Sequence, residues 1–177
     1  MNYKIWIVPA ISILLSACEQ KSSIHEKDNI KSKSLTRATA PKWKNMKGYE
    51  ANIEVITLQN KNFRQVLYTG KNMQLVVMSL KPGEEIGEET HTAVDQFFRV
   101  ENGMGQCIIN DHVRQIIIGD AIIVPAGAKH NIINTDDKLD LKLYTIYSPP
   151  NHEDKIIRKT KKDADEITEK YDGKTTE

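Results

Sequence analysis

Two groups of polar residues carry side chains of the kinds that bind metals. Glu89, His91 and Gln96 follow one another at short intervals, and His130 comes soon after a Pro-x-Gly turn. Residues two apart on a strand point to the same face, so Glu89 and His91 can reach one point together. Gln96 returns on or near the next strand, and the turn before His130 fixes the direction of the imidazole. The pattern predicts a polar site built from separate strands.

The elements that must position these side chains are short strands. Turn residues such as Pro82-Gly83, Asn102-Gly103 and Gly119-Asp120 separate them. Many short strands without a helix between them predict an antiparallel sandwich or barrel, and Asn110-Asp111 predicts a tight hairpin. The predicted strands are residues 53–58, 63–68, 73–80, 96–101, 106–110, 113–118, 121–124, 131–134 and 141–147.

Alternation along the strand that begins at Gln96 separates its side chains into two faces. Phe98 and Val100 share the face of Gln96, and we expect them to line the pocket. Phe97 and Arg99 then face the other way.

Several other polar residues are weaker candidates. Glu85 lies in the acidic run before His91 and is the alternative carboxylate ligand. His112 follows the hairpin turn, so we expect it to be exposed. We expect His152, which follows Pro149-Pro150, to face solvent in a loop; the alternative is that it covers the mouth of the barrel. Asn134 is expected to be a structural hydrogen-bond partner in its turn.

The two groups resemble the two motifs of the cupin superfamily. The spacing of residues 83–103 is that of the first motif, Gly-x5-His-x-His-x3–4-Glu-x6-Gly. Residues 119–134 match the second, Gly-x5-Pro-x-Gly-x2-His-x3-Asn, at every fixed position. The resemblance covers roughly residues 73–147 and implies an all-β fold, the antiparallel cupin barrel, also called a double-stranded β-helix or jelly roll. Residues 95–100 and 147–152 look like a subgroup labelled mannose-6-phosphate-isomerase-like, a label that follows fold more than reaction.

The resemblance also implies that Glu89, His91, Gln96 and His130 hold a divalent metal. Glu89 replaces the first histidine of the family pattern and Gln96 replaces its glutamate, so the set of ligands keeps one negative charge. Two nitrogen and two oxygen donors suit Mn, Fe, Ni or Zn. The alternative is a metal-free barrel in which these side chains form a buried hydrogen-bond cluster.

The N-terminus resembles the signal of bacterial lipoproteins. Lys4 precedes an apolar stretch at residues 5–15, which is too short to span a bilayer. Leu15-Ser16-Ala17-Cys18 resembles a lipobox, which implies cleavage before Cys18 and lipidation of its thiol. The alternative is an ordinary secretory signal. We therefore expect an exported protein, lipid-anchored to the cell envelope and facing the periplasm, and Glu19 favours the outer membrane if the host is Gram-negative.

These features divide the chain into four parts. Residues 1–17 are the signal peptide, 18–44 a flexible tether, 45–150 the β-barrel and 151–177 a polar tail. Thr160 and Asp163 resemble a capping pair, which predicts a short polar helix over residues 161–171. Cys107 is the one cysteine other than Cys18, and we expect it to be buried as a small apolar residue.

Composition limits the classes of function. The 177 residues carry a net charge of +1, which gives no electrostatic case for nucleic acid. One hypothesis is a metal-dependent enzyme, such as an isomerase, lyase or dioxygenase, on a small oxygenated, sugar-like molecule. Export argues against phosphorylated sugars as substrates. The alternative is a non-catalytic module for a small ligand or an envelope protein. Exposed edge strands, with isoleucine-rich runs at 116–118 and 122–124, would also permit a homodimer.

Overall fold

Ten strands form two antiparallel sheets in the computed structural model, which describes residues 46–177. The predicted lipoprotein signal, Cys18 and the whole predicted tether lie outside the described residues. In chain order, the strands are β1 (Arg64–Thr69), β2 (Gln74–Leu80), β3 (Glu89–Thr90), β4 (Asp95–Asn102), β5 (Met104–Ile109), β6 (His112–Ile117), β7 (Ala121–Val124), β8 (Lys129–Asn134), β9 (Leu141–Ser148) and β10 (Ile157–Arg158).

One sheet has six strands in the order β10-β1-β2-β9-β4-β7, and the other has four in the order β3-β8-β5-β6. The core contains the inward side chains of both sheets, including Val76, Phe98, Ile132 and Leu143, all fully buried. The all-β antiparallel fold expected from the turn pattern is therefore confirmed. The expected hairpin is also present, because Asn110 and Asp111 both have positive φ (45° and 68°) between β5 and β6.

The strand predicted at residues 53–58 is wrong. These residues form helix α1 (Ile53–Gln59), which Asn52 caps by accepting a hydrogen bond from the Val55 amide. The helix lies against β9, and the Lys142 ammonium donates hydrogen bonds to carbonyls at and beyond the end of the helix. The neighbours of Lys142 on β9 point into the core, so α1 covers the outer face of the six-stranded sheet.

The C-terminal tail contains the expected helix in a shorter form. Helix α2 (Lys161–Glu166) begins at the predicted capping pair, with Thr160 and Asp163 bonded reciprocally. The tail is also tied to the barrel. The β10 strand pairs with β1, and the amides of Tyr171 and Thr176 donate to the carbonyls of Asn151 and Thr69. No helix among residues 46–177 is long and apolar enough to cross a membrane.

Candidate metal centre

The four predicted ligands come together although they lie on three separate stretches of strand and loop. Glu89 on β3 is the register partner of His130 on β8, so their strands are hydrogen-bonded neighbours. His91 comes directly after β3, and Gln96 projects from β4 in the opposite sheet. The site therefore lies between the two sheets, and both must pack correctly before it exists.

The donor atoms lie close enough to share one ion. Single donor atoms of Glu89, His91 and His130 all lie within 4.8 Å of one another. Glu89 Oε2 is 3.2 Å from His91 Nε2 and 4.0 Å from His130 Nε2, and Gln96 Oε1 is 2.9 Å from His130 Nε2. Ligands about 2.1 Å from a metal are about 3 Å apart at right angles and about 4.2 Å apart when opposite. The three separations of 2.9, 3.2 and 4.0 Å are close to that range.

The bonding of His130 leaves one ring nitrogen directed at the site. Its Nδ1 lies 3.2 Å from the carbonyl oxygen of Ala128, which can only accept a hydrogen bond. Nδ1 therefore carries the proton in the neutral ring, and the lone pair of Nε2 faces the oxygen of Gln96. The burial of His130 lowers its pKa, which favours the neutral ring. Nε2 of His130 and Oε1 of Gln96 are then two hydrogen-bond acceptors that face each other, an arrangement that fits a cation bound between them. Without a cation, rotation of the Gln96 amide by about 180° would let its NH₂ group donate to Nε2 instead.

Gln96 is held by a second contact. Its side chain is 1% exposed, and its Nε2 donates to the Thr145 hydroxyl on the adjacent β9 at 3.1 Å. That contact holds the amide in place, with Oε1 facing His130. Aromatic rings complete the walls: Phe98 packs edge-on against His130, and Tyr147 packs edge-on against His91. The histidine rings are thus fixed by packing as well as by hydrogen bonds.

Arg64 of β1 lies behind Glu89. Its guanidinium is 3.7 Å from Glu89 Oε1, whereas the other carboxylate oxygen faces the histidines. Burial raises the pKa of Glu89, but the His91 hydrogen bond and the Arg64 charge lower it, and the net effect is a pKa below its ordinary value. The carboxyl group is therefore ionised at neutral pH, as a metal ligand must be.

A cavity of about 530 Å³ opens beside His91. Its walls include Thr90, Thr92 and Asn151, together with Glu169 and Tyr171 from the C-terminal tail. The sequence did not suggest that the tail contributes to this cavity, because an isolated run of charged residues is usually solvated. The size and the mixture of polar and apolar groups in the lining suit a small oxygenated molecule.

The prediction that His152 faces solvent is wrong. His152 is 4% exposed, stacks edge-on against Tyr147, and has Nδ1 3.3 Å from Glu169 Oε1. Its backbone amide donates to the buried side chain of Gln74, which reaches it from β2. No local signal near residue 152 indicated burial, because its partners lie on distant strands and at the far end of the tail.

The structure places the other residues that the sequence singled out in different surroundings. Phe98 and Val100 are fully buried on the face of Gln96, and Phe98 touches His130, while a role for either as pocket lining stays a prediction. Glu85, the alternative carboxylate, accepts a hydrogen bond from the Asn131 amide instead. His112 is exposed at the hairpin, as expected. Asn134 bonds backbone groups of its own loop and of Leu80, also as expected.

Comparison with known proteins agrees with the sequence motifs. A model of the cupin domain matches residues 76–147. The uncharacterized protein YrkC of Bacillus subtilis (strain 168) is 47% identical over 124 residues, which are 67% of this chain and 66% of YrkC. The uncharacterized protein L612 of Acanthamoeba polyphaga mimivirus is 42% identical over 107 residues, 59% of this chain and 67% of L612. The chain thus spans about two thirds of the length of these relatives.

A solved structure extends the match to the fold. The crystal structure of BH2720 from Bacillus halodurans shares 37% sequence identity at a TM-score of 0.67, covering 70% of this chain and 98% of that one. The match therefore extends beyond the family motifs to nearly all of that protein. Together with the two antiparallel sheets, these matches show that the chain belongs to the cupin family, with a single cupin domain.

Proposed function

We propose that this protein binds one divalent transition metal through Glu89, His91, Gln96 and His130. The observation that supports this most directly is the convergence of their donor atoms between the two sheets. A metal that filled this site would be Mn, Fe, Ni or Zn, given two nitrogen and two oxygen donors. When bound, such an ion supplies Lewis acidity that polarises an oxygen of a ligand.

The other groups around the site would bind and orient the ligand. Thr90, Thr92 and Asn151 offer hydroxyl and amide groups to an oxygenated molecule in the cavity. Tyr147 and Phe98 hold the histidine rings and keep water from their apolar sides. We infer that the protein is an enzyme of the isomerase, lyase or dioxygenase type on a sugar-like molecule. The mannose-6-phosphate-isomerase-like subgroup remains part of that proposal.

Metal binding is tested with purified protein and a matched pair of histidine variants. His130→Ala removes a buried donor, and His112→Ala removes an exposed histidine of the β5–β6 hairpin. Titration calorimetry with Mn²⁺, Ni²⁺ and Zn²⁺ and elemental analysis measure uptake. We expect one ion per wild-type and His112→Ala chain, and at least a hundredfold weaker binding by His130→Ala. Equal uptake by all three proteins would remove the proposed site.

A non-catalytic binding module is the second candidate. It is favoured by the depressed pKa of Glu169, about 2, which makes the carboxylate that lines the cavity a poor base. Screens of metal-loaded protein against unphosphorylated sugars, uronates and catechol-like compounds distinguish the candidates. Product formation that the His130→Ala variant lacks supports the enzyme. Saturable binding without product in any screen supports the module.

The place of the protein in the cell is a separate proposal. Lipidation of Cys18 would anchor the domain to the cell envelope through the tether. Incorporation of labelled palmitate in the bacterial host tests it, with Cys18→Ser as the control. Equal labelling of both proteins would contradict the anchor.

A further inference from the structure

Arg64 lies between two carboxylates that come from opposite parts of the chain. One guanidinium nitrogen is 3.7 Å from Glu89 Oε1, and another is 3.5 Å from Glu169 Oε1. The side chain of Arg64 is 8% exposed, so its charge is largely removed from water. Glu89 belongs to the proposed metal site, whereas Glu169 belongs to the C-terminal tail that lines the adjoining cavity.

Glu169 is held tightly although it lies in a tail of mostly exposed residues. Its side chain is 4% exposed, and its Oε2 accepts a 2.9 Å hydrogen bond from Arg158 of β10. Its Oε1 lies 3.3 Å from His152 Nδ1. Burial raises the pKa of Glu169, but the contacts with His152 and Arg158 outweigh it and lower the pKa to about 2. Glu169 is therefore a fixed negative charge at neutral pH.

The two oxygens of Glu89 have different partners. Oε1 faces Arg64 and Oε2 faces His91. Arg64 can therefore orient the carboxylate so that Oε2 is directed at the proposed ligands. An unbalanced guanidinium in that place would also repel a cation in the site. Glu169, on the far side of Arg64, supplies the charge that offsets this repulsion.

We propose that Arg64 and Glu169 act as an outer ion pair that orients Glu89 and couples docking of the C-terminal residues 167–177 to cation binding. The inference rests on the proposed metal site. A cation bound to Glu89 weakens the attraction between Glu89 and Arg64, and Arg64 can then pair more strongly with Glu169. Metal binding therefore stabilises the docked position of residues 167–177 beside the cavity. By linkage, a docked tail strengthens metal binding to the same extent. Arg64 and Glu169 are positioning residues, since they act on the metal through Glu89.

The first test uses a matched pair of charge-neutralising variants of the full chain. Glu169→Gln removes the buried charge, and Glu166→Gln removes an exposed glutamate that pairs with Lys162 on α2. Zn²⁺ affinity is measured by calorimetry, after circular dichroism has shown that each variant is folded. Changes in outer partners of metal ligands commonly weaken binding about 10–100-fold. We expect about a tenfold loss for Glu169→Gln and no change for Glu166→Gln.

A double variant separates this charge effect from general damage. Arg64→Gln combined with Glu169→Gln removes the repelling guanidinium along with its counter-charge. We expect the double variant to bind Zn²⁺ more tightly than Glu169→Gln alone, which a purely structural role of Glu169 would not produce. A double variant that binds as weakly as, or more weakly than, Glu169→Gln would overturn the charge balance.

Hydrogen exchange on the wild-type chain tests the coupling without any substitution. Backbone amides of residues 167–177 are compared with and without saturating Zn²⁺. We expect slower exchange in this segment when the metal is bound, and no such slowing in Glu169→Gln at saturating Zn²⁺. Wild-type protein that binds Zn²⁺ with unchanged exchange in the tail overturns the coupling alone. Wild-type protein that takes up no metal overturns the proposed function and the coupling with it.

Discussion

Two cavities lie at opposite edges of the four-stranded sheet, and their walls differ in chemistry. The cavity beside β3 holds His91, Glu169 and Tyr171 and adjoins the converging ligands. The cavity at the other edge, about 320 Å³ in volume, lies between β6 and β7. Arg114 and Asp120 are the charged residues of its lining. Most of the other side chains that line it are apolar: Cys107, Ile109, Ile116, Ala121, Ile122 and Ile123.

The difference shows what a cavity needs besides space. In both places, the separation of two sheets at their edges leaves room. Only the β3 side brings together buried carboxylate, imidazole and amide groups, and there each charge has a partner that offsets the cost of burial. We therefore expect substitutions at the β6 edge to change the free energy of unfolding and to leave metal affinity unchanged. Substitutions at the β3 edge should change metal affinity more than those at the β6 edge.

The largest expected effect concerns the thiol at the apolar edge. Burial raises the pKa of Cys107 to about 11, and the residue is 3% exposed. We expect alkylation of Cys107 at pH 8 to be at least about a thousandfold slower in the folded protein than in denaturant, because the thiolate is scarce and enclosed. Mass spectrometry of the peptide that contains Cys107 measures the rate. Comparable rates in both conditions would show that this edge is open.

A methyl group added to the strand beside this edge should destabilise the fold strongly. A Cβ on Gly105 would overlap the carbonyl oxygen of Ile133 on β8 and crowd Leu141. Gly105→Ala should lower the free energy of unfolding by about 3 kcal/mol, since backbone must move. Gly70→Ala is the control, because a Cβ there would make only ordinary contacts. Urea denaturation of both variants measures the effect, and an equal stability of the two would contradict it.

A glutamine-to-glutamate pair compares the two edges directly. Gln96→Glu places a carboxylate among the proposed ligands, whereas Gln115→Glu places one at the exposed wall of the apolar cavity. We expect Gln96→Glu to keep or tighten Zn²⁺ binding, by up to about tenfold, because a carboxylate is a stronger ligand than an amide. Gln115→Glu should leave it unchanged. Titration calorimetry decides, and weaker binding by Gln96→Glu would exclude Gln96 as a ligand.

The smallest effect is expected on the outer surface of β7. Ile123 is 71% exposed, so Ile123→Lys should change the free energy of unfolding by less than about 0.5 kcal/mol. Ile122→Ala, at a residue 9% exposed, should cost about 2 kcal/mol and serves as the comparison. Urea denaturation at several protein concentrations measures both. A large, concentration-dependent loss for Ile123→Lys would instead indicate a homodimer through this edge.

Much of the barrel could be predicted because strand alternation is a local property. Gln96, Phe98 and Val100 share one buried face of β4, as their spacing required. Helix α1 could not be predicted in this way. Ile53, Val55, Ile56, Thr57 and Leu58 of this helix are β-branched or apolar, and so short a run does not distinguish a strand from a helix. The Asn52 cap and the outer face of the sheet determined the helix.

The proposed ligands of the candidate site could be predicted from the sequence, whereas the residues that surround them could not. The spacing of the cupin motifs identified Glu89, His91, Gln96 and His130, and the structure brings these residues together. Arg64 and Glu169 were not identified, and His152 was assigned to solvent, because each resembles an ordinary surface residue in its own segment. Arg64 and Glu169 pair across the fold, and His152 lies beside Glu169, over sequence separations that no local pattern records.

The sequence by itself determined the class of fold, the turns and the residues of the proposed metal site, because alternation, turn chemistry and motif spacing act over a few neighbours. Only the tertiary structure decided that the C-terminal tail reaches the site and that Arg64 stands between Glu89 and Glu169. The physical reason is the cost of burying charge. A lone buried Arg64 would be unfavourable, and its partners were set by which distant segments the packed sheets bring within reach.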